Sequence, residues 1–178
     1  IALYLHRKGI NISASDDKIK RIIKGLNIEF KDSKIFINKK DVSSLIRTPE
    51  IGYYSSIFST KKIVRDFLIT PQRKFAERYN TVAEGRDMGT IIFPNAWKKF
   101  YLDASIEERA KRRYFQLIKI NKNFTMEHAI KDIKERDFRD MHRSIAPLKI
   151  PKDAIYIDTT KLTIEETVKE IIKWAFGM

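Results

Sequence analysis

After about residue 80, short apolar segments of β-type composition alternate with longer segments of helical periodicity. The β-type segments are residues 81–84, 100–103 and 154–158. Helices are predicted after Ser105, Thr125 and Thr163, each of which can act as an N-cap. Strands that alternate with helices usually lie parallel, because each connecting helix carries the chain back across the sheet. The pattern therefore predicts an α/β fold in which a parallel sheet is wrapped by helices.

Residues 10–79 carry the signals of a small α+β unit. In chain order, the expected elements are a helix opened by Ser15, a hairpin at residues 28–37, a short strand at Asp41-Val42 and helical periodicity from Thr48 to Tyr79. This unit is more polar than the segments that follow it. We therefore predict that residues 10–79 form a lobe inserted into a core domain made of residues 1–9 and 80–178.

Glycine and proline are expected to end or interrupt these helices. Gly9 should close a helix at the start of the chain, and Gly25 should stop the helix that Ser15 opens. The periodicity after Thr48 is interrupted at Thr60 and again at Pro71. Because proline lacks a backbone N–H, Pro71 is expected to kink or break its helix.

The composition excludes several classes of site. The chain has 178 residues and no cysteine, so disulfides and cysteine-ligated zinc are excluded and a reducing cytoplasm is expected. Its three histidines lack metal-ligand spacing, and no resident metal site is predicted. No apolar run is long enough to span a membrane, and the first nine residues do not resemble a signal peptide. We expect a cytoplasmic monomer without a membrane partner.

The formal net charge is +13, from 36 basic and 23 acidic residues. Such an excess favours an anionic partner, which leaves nucleic acid, a membrane surface and a phosphorylated small molecule as alternatives. Part of the lysine content can equally serve solubility. The arginines are more informative, because their planar fork matches phosphate and carboxylate groups.

One candidate site is Gly85-Arg86-Asp87-Met88-Gly89, which follows the predicted strand 81–84. Ligands of open parallel sheets bind beyond the carboxyl ends of the strands. Arg86 can hold a phosphate, and Asp87 can accept hydrogen bonds from an amino group or a ring nitrogen. The two glycines permit close backbone approach or positive φ. The alternative is an internal salt bridge at a strand-to-loop turn.

A second candidate site is the segment KERDFRDMHR, residues 134–143. On a helix, Arg136, Arg139, Asp140 and Arg143 lie within about 100° of arc, at the rim of the apolar stripe. A helix that lines a cleft presents its polar side chains there. Local salt bridges on a solvated face are the alternative interpretation.

Other arginines are single candidates. Arg112 lies near residues 118–124, a segment that could be mobile and cover a nucleotide. In the inserted lobe, the residues able to hold a polar ligand are Arg47, Ser56, Arg65 and Arg73. No catalytic histidine or nucleophile stands out. An arginine-rich cleft of this kind suits phosphoryl transfer, which depends on positioning and charge neutralisation. The phosphate-binding pattern G-x-x-x-x-G-K-[ST] is absent from these residues.

Two segments, EGRDMGTIIFPNAWKKFYLDASIEERAKRR and KERDFRDMHRSIAPL, closely resemble bacterial cytidylate kinases, the CMP kinases of the nucleoside monophosphate kinase superfamily. The resemblance runs from about Ile1 to the C-terminus and includes DVSSLIRTPE in the inserted lobe. It implies a parallel five-stranded sheet, a nucleotide-monophosphate-binding insertion and a lid at about residues 112–125. It also implies phosphoryl transfer from ATP, with Mg²⁺, to CMP or dCMP, and no nucleic-acid partner.

The resemblance also implies roles for individual residues. Ser56, Arg65 and Asp87 would recognise the cytosine ring, with Arg47 nearby. Arg86 and Arg143 would hold the CMP phosphate. Arg136 and Asp140 would bind the ribose hydroxyls. Arg112 would be a catalytic lid arginine near the transferred phosphoryl group, and Arg143 would also act in catalysis.

One departure from the family pattern concerns the start of the sequence. The family's phosphate-binding loop and an Asp-Ser-Gly segment that touches CMP both precede the region matched by Ile1, so we expect this sequence to lack them. This departure leaves open a kinase-like protein that binds CMP without catalysis, and the net charge of +13 leaves open a basic nucleic-acid-binding module.

Overall fold

The computed structural model describes residues 1–120 and 122–177, which form two compact units, Ile1–Val82 and a second unit that begins at Ala83. The first unit contains α1 (Ala2–Arg7), α2 (Asp16–Ile23), β1 (Ile28–Lys31), β2 (Lys34–Ile37), β3 (Lys40–Asp41), a 3₁₀ turn (Leu45–Arg47), α3 (Pro49–Phe58) and α4 (Lys62–Arg78). The second contains a π-helical turn (Met88–Ile92), β4 (Phe100–Asp103), α5 (Ile106–Leu117), α6 (Met126–His142), β5 (Ile155–Asp158) and α7 (Ile164–Phe176).

The predicted helix boundaries of the first unit are confirmed by their caps. The Ser15 hydroxyl accepts a hydrogen bond from the Lys18 N–H at 3.3 Å, and the Thr48 hydroxyl accepts one from the Ile51 N–H at 3.3 Å. Pro49 occupies the first position of α3, where its missing N–H costs nothing. Gly9 follows α1 with φ of +65°, which a residue without a side chain adopts readily.

The predicted hairpin is part of a three-stranded antiparallel sheet in the order β1-β2-β3. Lys31 pairs with Lys34, so Asp32 and Ser33 form a two-residue turn, with φ of 49° and 61°. Positive φ at both central residues is the geometry that matches the twist of the flanking strands. The hairpin and the short third strand are thus confirmed.

Helix α1 contributes to both hydrophobic clusters of the first unit. Leu5 packs in a cluster with Ile19 of α2 and Phe58 of α3, all fully buried. Leu3 packs in the other cluster, with Ile37 of β2. The first residues therefore bury their apolar side chains within residues 1–82, and the predicted division between residues 1–9 with 80–178 and residues 10–79 stays a prediction.

The two expected interruptions in the helical stretch behave differently. Helix α3 ends at Phe58 and α4 begins at Lys62, so the break at Thr60 is confirmed. Pro71 lies inside α4 and does not break it. A proline removes one backbone hydrogen bond, and here the helix resumes on its far side.

In the second unit, β4 and β5 pair in parallel, from Phe100 opposite Ile155 to Asp103 opposite Asp158. Together with the helices that follow each strand, this confirms the α/β class. The described residues of this unit contain two parallel strands, whereas the resemblance implies five. The predicted strand at residues 81–84 is wrong: no strand of residues 1–120 or 122–177 pairs with it, and the Val82 side chain is fully exposed. Apolar composition gives no strand without a hydrogen-bonding neighbour.

The helix starts predicted in the second unit are confirmed. Ser105, Thr125 and Thr163 each accept a hydrogen bond from the third helical residue. Helix α5 ends at Leu117. Ala110 of α5 and Ala129 of α6 are fully buried. Both tryptophans of the chain belong to this unit, and Trp97 contacts Phe176 of α7 with ring centroids 5.6 Å apart.

The buried Lys99 side chain links the segment before β4 to the segment before β5. The Lys99 ammonium donates to the Pro94 carbonyl at 2.5 Å and to the Asp153 carboxylate at 2.7 and 2.9 Å. The hydrogen bond from Lys99 lowers the pKa of Asp153. Hydrogen bonds also lower the pKa of Asp158 and Glu166, from Thr160 and Thr163 respectively.

The lowered pKa values of these three carboxylates predict that the fold is sensitive to acid. Their folded pKa values lie below the unfolded ones, so they stabilise the protein above about pH 4 and lose that contribution as pH falls further. We expect the melting temperature to drop between pH 5 and pH 3, measured by circular dichroism. Lys99→Met should reduce the size of this drop, whereas the exposed Lys149→Met should leave it unchanged. An equal drop in both variants would contradict a role for the Lys99–Asp153 pair.

None of the described helices is both long enough and apolar enough to cross a membrane.

Candidate active site

The second unit gathers three arginines around one carboxylate. Arg86 Nε lies 3.0 Å from Asp140 Oδ2, Arg143 Nη1 lies 3.6 Å from Asp140 Oδ1, and Arg136 Nε lies 3.9 Å from Asp140 Oδ2. We call these four residues the Asp140 cluster. The structure thus brings together the arginine of the Gly85–Gly89 segment and three of the four polar residues predicted on α6.

The end of α6 holds this cluster in place. Arg136 and Asp140 are one turn apart on α6, and Arg143 is its C-cap. The chain then folds back on the helix: Arg143 Nε donates to the Ala146 carbonyl at 2.6 Å, and the Leu148 N–H donates to the Asp140 carbonyl at 2.7 Å. Ala146 adopts φ of 48° in this turn. The chain that follows α6 therefore holds the Arg143 side chain in place before any ligand binds.

Two side chains of the Asp140 cluster are largely buried, and the other two are accessible to solvent. The side chains of Arg143 and Asp140 are 9% and 16% exposed, whereas those of Arg86 and Arg136 are 42% and 48% exposed. Asp140 Oδ2 is buried and accepts no hydrogen bond from the described residues, because Arg86 approaches it without hydrogen-bond alignment. A site with two accessible guanidinium groups and a local charge of +2 favours an anion with two negative charges.

One of the three arginines of the predicted arc does not join the cluster. Arg139 is 53% exposed and pairs with Glu135 at 3.9 Å, one turn back on the same helix. For this residue, the local salt bridge is the correct interpretation.

The segment from Gly85 to Gly89 forms a tight turn. Asp87 is 7% exposed, and its carbonyl accepts hydrogen bonds from the Ile91 and Ile92 N–H groups at 2.9 and 3.2 Å. Neither glycine adopts the positive φ that was one of the two expectations. Close approach is the better explanation for Gly89, where a Cβ atom would lie 2.9 Å from the Pro151 ring.

Tyr101 of β4 feels several charged groups of this unit. Partial burial raises the pKa of its hydroxyl, and so do the negative charges of Asp103 and Asp137, while Arg86 and Arg109 act in the opposite direction. One phenol ring thus lies within electrostatic range of the cluster arginine Arg86 and of the α5 and α6 side chains.

The Arg112 guanidinium donates three hydrogen bonds within the second unit. Its Nε donates to Glu108 at 2.9 Å, and its two Nη atoms donate to the Thr159 hydroxyl and carbonyl at 3.1 and 2.7 Å. Thr159 is buried and also donates to the Asp103 carbonyl from its N–H and its hydroxyl. Arg112 therefore ties α5 to the carboxyl ends of β4 and β5. Of the predicted lid, residue 121 lies outside the described residues.

Two of the candidates in the first unit are close neighbours. Arg65 Nη1 donates to the Ser59 carbonyl at 3.0 Å, and the Ser59 hydroxyl donates to the Ser56 carbonyl at 2.9 Å. The turn between α3 and α4 thus connects Ser56 to Arg65, which their spacing of nine residues does not predict. Arg47 is exposed at the end of the 3₁₀ turn, and Arg73 is exposed on α4.

A comparison with protein families decides the relationship of this chain. A family model described as cytidylate kinase matches residues 1–176. The chain belongs to the cytidylate kinase family. The resemblance inferred from the two motifs is thereby confirmed.

Curated relatives named cytidylate kinase are similar over most of the chain. The protein of Thermodesulfovibrio yellowstonii is 50% identical over 159 residues, which cover 89% of this chain and 72% of the relative. That of Pseudothermotoga lettingae is 46% identical over 176 residues, covering 99% and 78% respectively. That of Thermosipho melanesiensis is 43% identical over 173 residues, covering 97% and 78%.

The sequence patterns do not single out two residues, Arg109 and Thr159, that make tertiary hydrogen bonds in the unit that holds the candidate site. Arg109 donates to the Ala104 carbonyl at 2.9 Å and to Asp137 of α6. The available signal was Asp137, an acid within the arginine-rich segment that needs a cationic partner. Nothing local to Thr159 marks it as a partner of Arg112.

Proposed function

We propose that this protein transfers the γ-phosphoryl group of ATP to the phosphate of CMP or dCMP, giving ADP and CDP or dCDP. Membership in the cytidylate kinase family supports this reaction. The observation that carries it at the level of residues is the Asp140 cluster, where Arg86, Arg136 and Arg143 surround one carboxylate. No nucleophilic or general-base side chain is required, because the phosphate of CMP is itself the nucleophile.

The Asp140 cluster would bind the nucleoside monophosphate at its phosphate and ribose. Three guanidinium groups and one carboxylate leave a local charge of +2, which matches a phosphate monoester of nearly two negative charges at pH 7. Arg86 and Arg143 would hold the phosphate. Arg136 and Asp140 would bind the ribose hydroxyls.

The cytosine ring would be read by Ser56, Arg65 and Asp87, with Arg47 nearby. Cytosine presents an exocyclic amino group next to a ring nitrogen that accepts hydrogen bonds. A buried carboxylate such as Asp87 can accept from the amino group, and Arg65 can donate to the ring acceptors. Uracil has a carbonyl in place of the amino group and could not donate to Asp87 at that position.

The reaction would proceed in line. An oxygen of the CMP phosphate forms a bond to the γ-phosphorus of ATP while the bond to the bridging oxygen breaks, and ADP leaves with that electron pair. The arginines neutralise the charge of the phosphoryl oxygens, and closure of the insertion and the lid excludes water. Arg112 is proposed near the transferred group, but in this conformation its guanidinium is bound to Glu108 and Thr159.

Mg²⁺ would accompany ATP. The described residues contain no group of three or more potential metal ligands, so no side chain is assigned to the ion. This cation commonly binds through substrate phosphates and keeps several waters, and it then neutralises charge on those phosphates.

Substrate selectivity tests the proposed function. In an assay coupled to ADP release, the protein should phosphorylate CMP and dCMP far faster than UMP or AMP, because uracil lacks the amino group that Asp87 would accept from and adenine is a larger purine ring. Equal rates with AMP would refute the cytosine assignment. Binding of CMP without ADP release would instead indicate a kinase-like protein without catalysis.

The basic charge alone leaves nucleic acid as a competing ligand. Family membership does not favour this alternative. A nucleic-acid-binding module would lose affinity steeply with added salt and would show little preference for mononucleotides. Competition between CMP and single-stranded oligonucleotides at two salt concentrations separates the two functions.

A further inference from the structure

Two ion pairs join α5 to α6 in the second unit. Arg109 pairs with Asp137, and Arg113 pairs with Asp132 at 3.0 Å. The pairs are chemically alike, but the side chain of Asp137 is 13% exposed whereas that of Asp132 is 38% exposed. The Arg109–Asp137 pair is therefore the less solvated and the more restricted in geometry.

Arg109 alone of these two arginines also reaches the end of β4. Its Nε donates to the carbonyl of Ala104, the residue that follows the strand, at 2.9 Å, while Nη1 donates to Asp137. A guanidinium group is planar and rigid, so two hydrogen bonds from its different nitrogens fix the direction between their acceptors. Arg109 thus sets the position of α6 relative to the carboxyl end of β4.

Asp137 lies three residues before Asp140 on α6, on a neighbouring part of the helix surface. Tyr101 lies within electrostatic range of Arg86, Arg109 and Asp137 together. The pair and the Asp140 cluster therefore lie in the same region of the second unit, whereas Asp132 lies two helical turns before Asp140.

We infer that Arg109 and Asp137 are positioning residues for the Asp140 cluster. They hold the last turns of α6 so that Asp140 and Arg143 face the nucleoside monophosphate, and they do not touch the substrate themselves. This inference rests on the proposed function for its consequence in catalysis. The structural part of the inference, that the pair fixes the end of α6, can be tested without a ligand.

Asp137→Asn and Asp132→Asn provide a matched comparison, because each removes one charge from an α5–α6 pair. Both should lower the melting temperature slightly. Only Asp137→Asn should raise KM for CMP, by about tenfold, with KM for ATP unchanged. A small displacement of the groups that bind CMP is enough for an effect of this size. Arg109→Lys keeps the charge but cannot span Ala104 and Asp137 with a rigid fork. It should raise KM for CMP similarly even if Arg109→Ala fails to fold.

Hydrogen exchange of the Leu148 amide gives a readout that needs no substrate. This N–H is bonded to the Asp140 carbonyl at 2.7 Å, so its protection reports the arrangement after α6. We expect protection to fall in Asp137→Asn and Arg109→Lys and to stay at the wild-type level in Asp132→Asn.

Equal effects of Asp137→Asn and Asp132→Asn on both readouts would overturn the positioning role. A wild-type protein without CMP kinase activity would refute the proposed function instead, and the exchange measurement would still decide the positioning role.

Discussion

Replacement of Arg143 by alanine should lower kcat/KM for CMP by about 10²- to 10³-fold, the range found when one preorganised donor to a reacting oxyanion is lost. Arg143 is the most buried cation of the Asp140 cluster and is anchored to the Ala146 carbonyl before any ligand binds. Its removal also leaves the carboxylate of Asp140 with one cation fewer. Steady-state kinetics with CMP varied at saturating ATP measures the loss.

Arg139→Ala is the matched control for this variant. Arg139 lies on the same helix, but it is half-exposed and pairs with Glu135. Its removal should change kcat/KM for CMP by less than about threefold, as expected for an exposed ion pair. If Arg143→Ala stays near the wild type in both KM and kcat, α6 does not line the substrate cleft.

Replacement of Asp87 should weaken the discrimination between CMP and UMP. Uracil has a carbonyl oxygen where cytosine has its amino group, so the hydrogen bond from the base to the Asp87 carboxylate is lost, and such mismatches cost several orders of magnitude in kcat/KM. We expect Asp87→Ala to lower the CMP/UMP ratio of kcat/KM by about 10²-fold, with a smaller effect on KM for ATP. Asp87→Asn keeps the volume of this buried residue and should lower the ratio too.

Asp153→Asn controls for the general effect of losing an acid from the second unit. It breaks the pair with Lys99 and should affect stability without changing the CMP/UMP ratio. An unchanged ratio in both Asp87 variants would contradict the proposed role of Asp87 in base recognition.

Local signals in the sequence predicted most elements, because those signals act over three or four residues. Ser15, Thr48 and Thr163 begin helices through hydrogen bonds to their own first turns, and such bonds depend on nothing distant. The hairpin at residues 28–37 is local in the same sense. The strand predicted at residues 81–84 was wrong because a strand requires a hydrogen-bonding partner from elsewhere in the chain. The composition of the segment does not show whether such a partner is present.

The candidate site was predictable only in part. Helical spacing correctly grouped Arg136 with Asp140, and the arginine of GRDMG lies beside them. Spacing did not distinguish Arg139, which faces solvent, from Arg143, which the returning chain buries. It could not reveal that Arg112 bonds to Thr159, 47 residues away, because that contact depends on where β5 ends. The grouping of Arg47, Ser56 and Arg65 with the Asp140 cluster stays a prediction.

The distribution of aromatic residues has a practical consequence for unfolding experiments. Trp97 and Trp174 both belong to the second unit, while the first unit contains tyrosines and no tryptophan. Intrinsic fluorescence excited at the red edge of the spectrum will therefore report denaturation of one half of the molecule, whereas far-ultraviolet ellipticity will report both. Coincident denaturant midpoints from the two signals would mean that the halves unfold cooperatively.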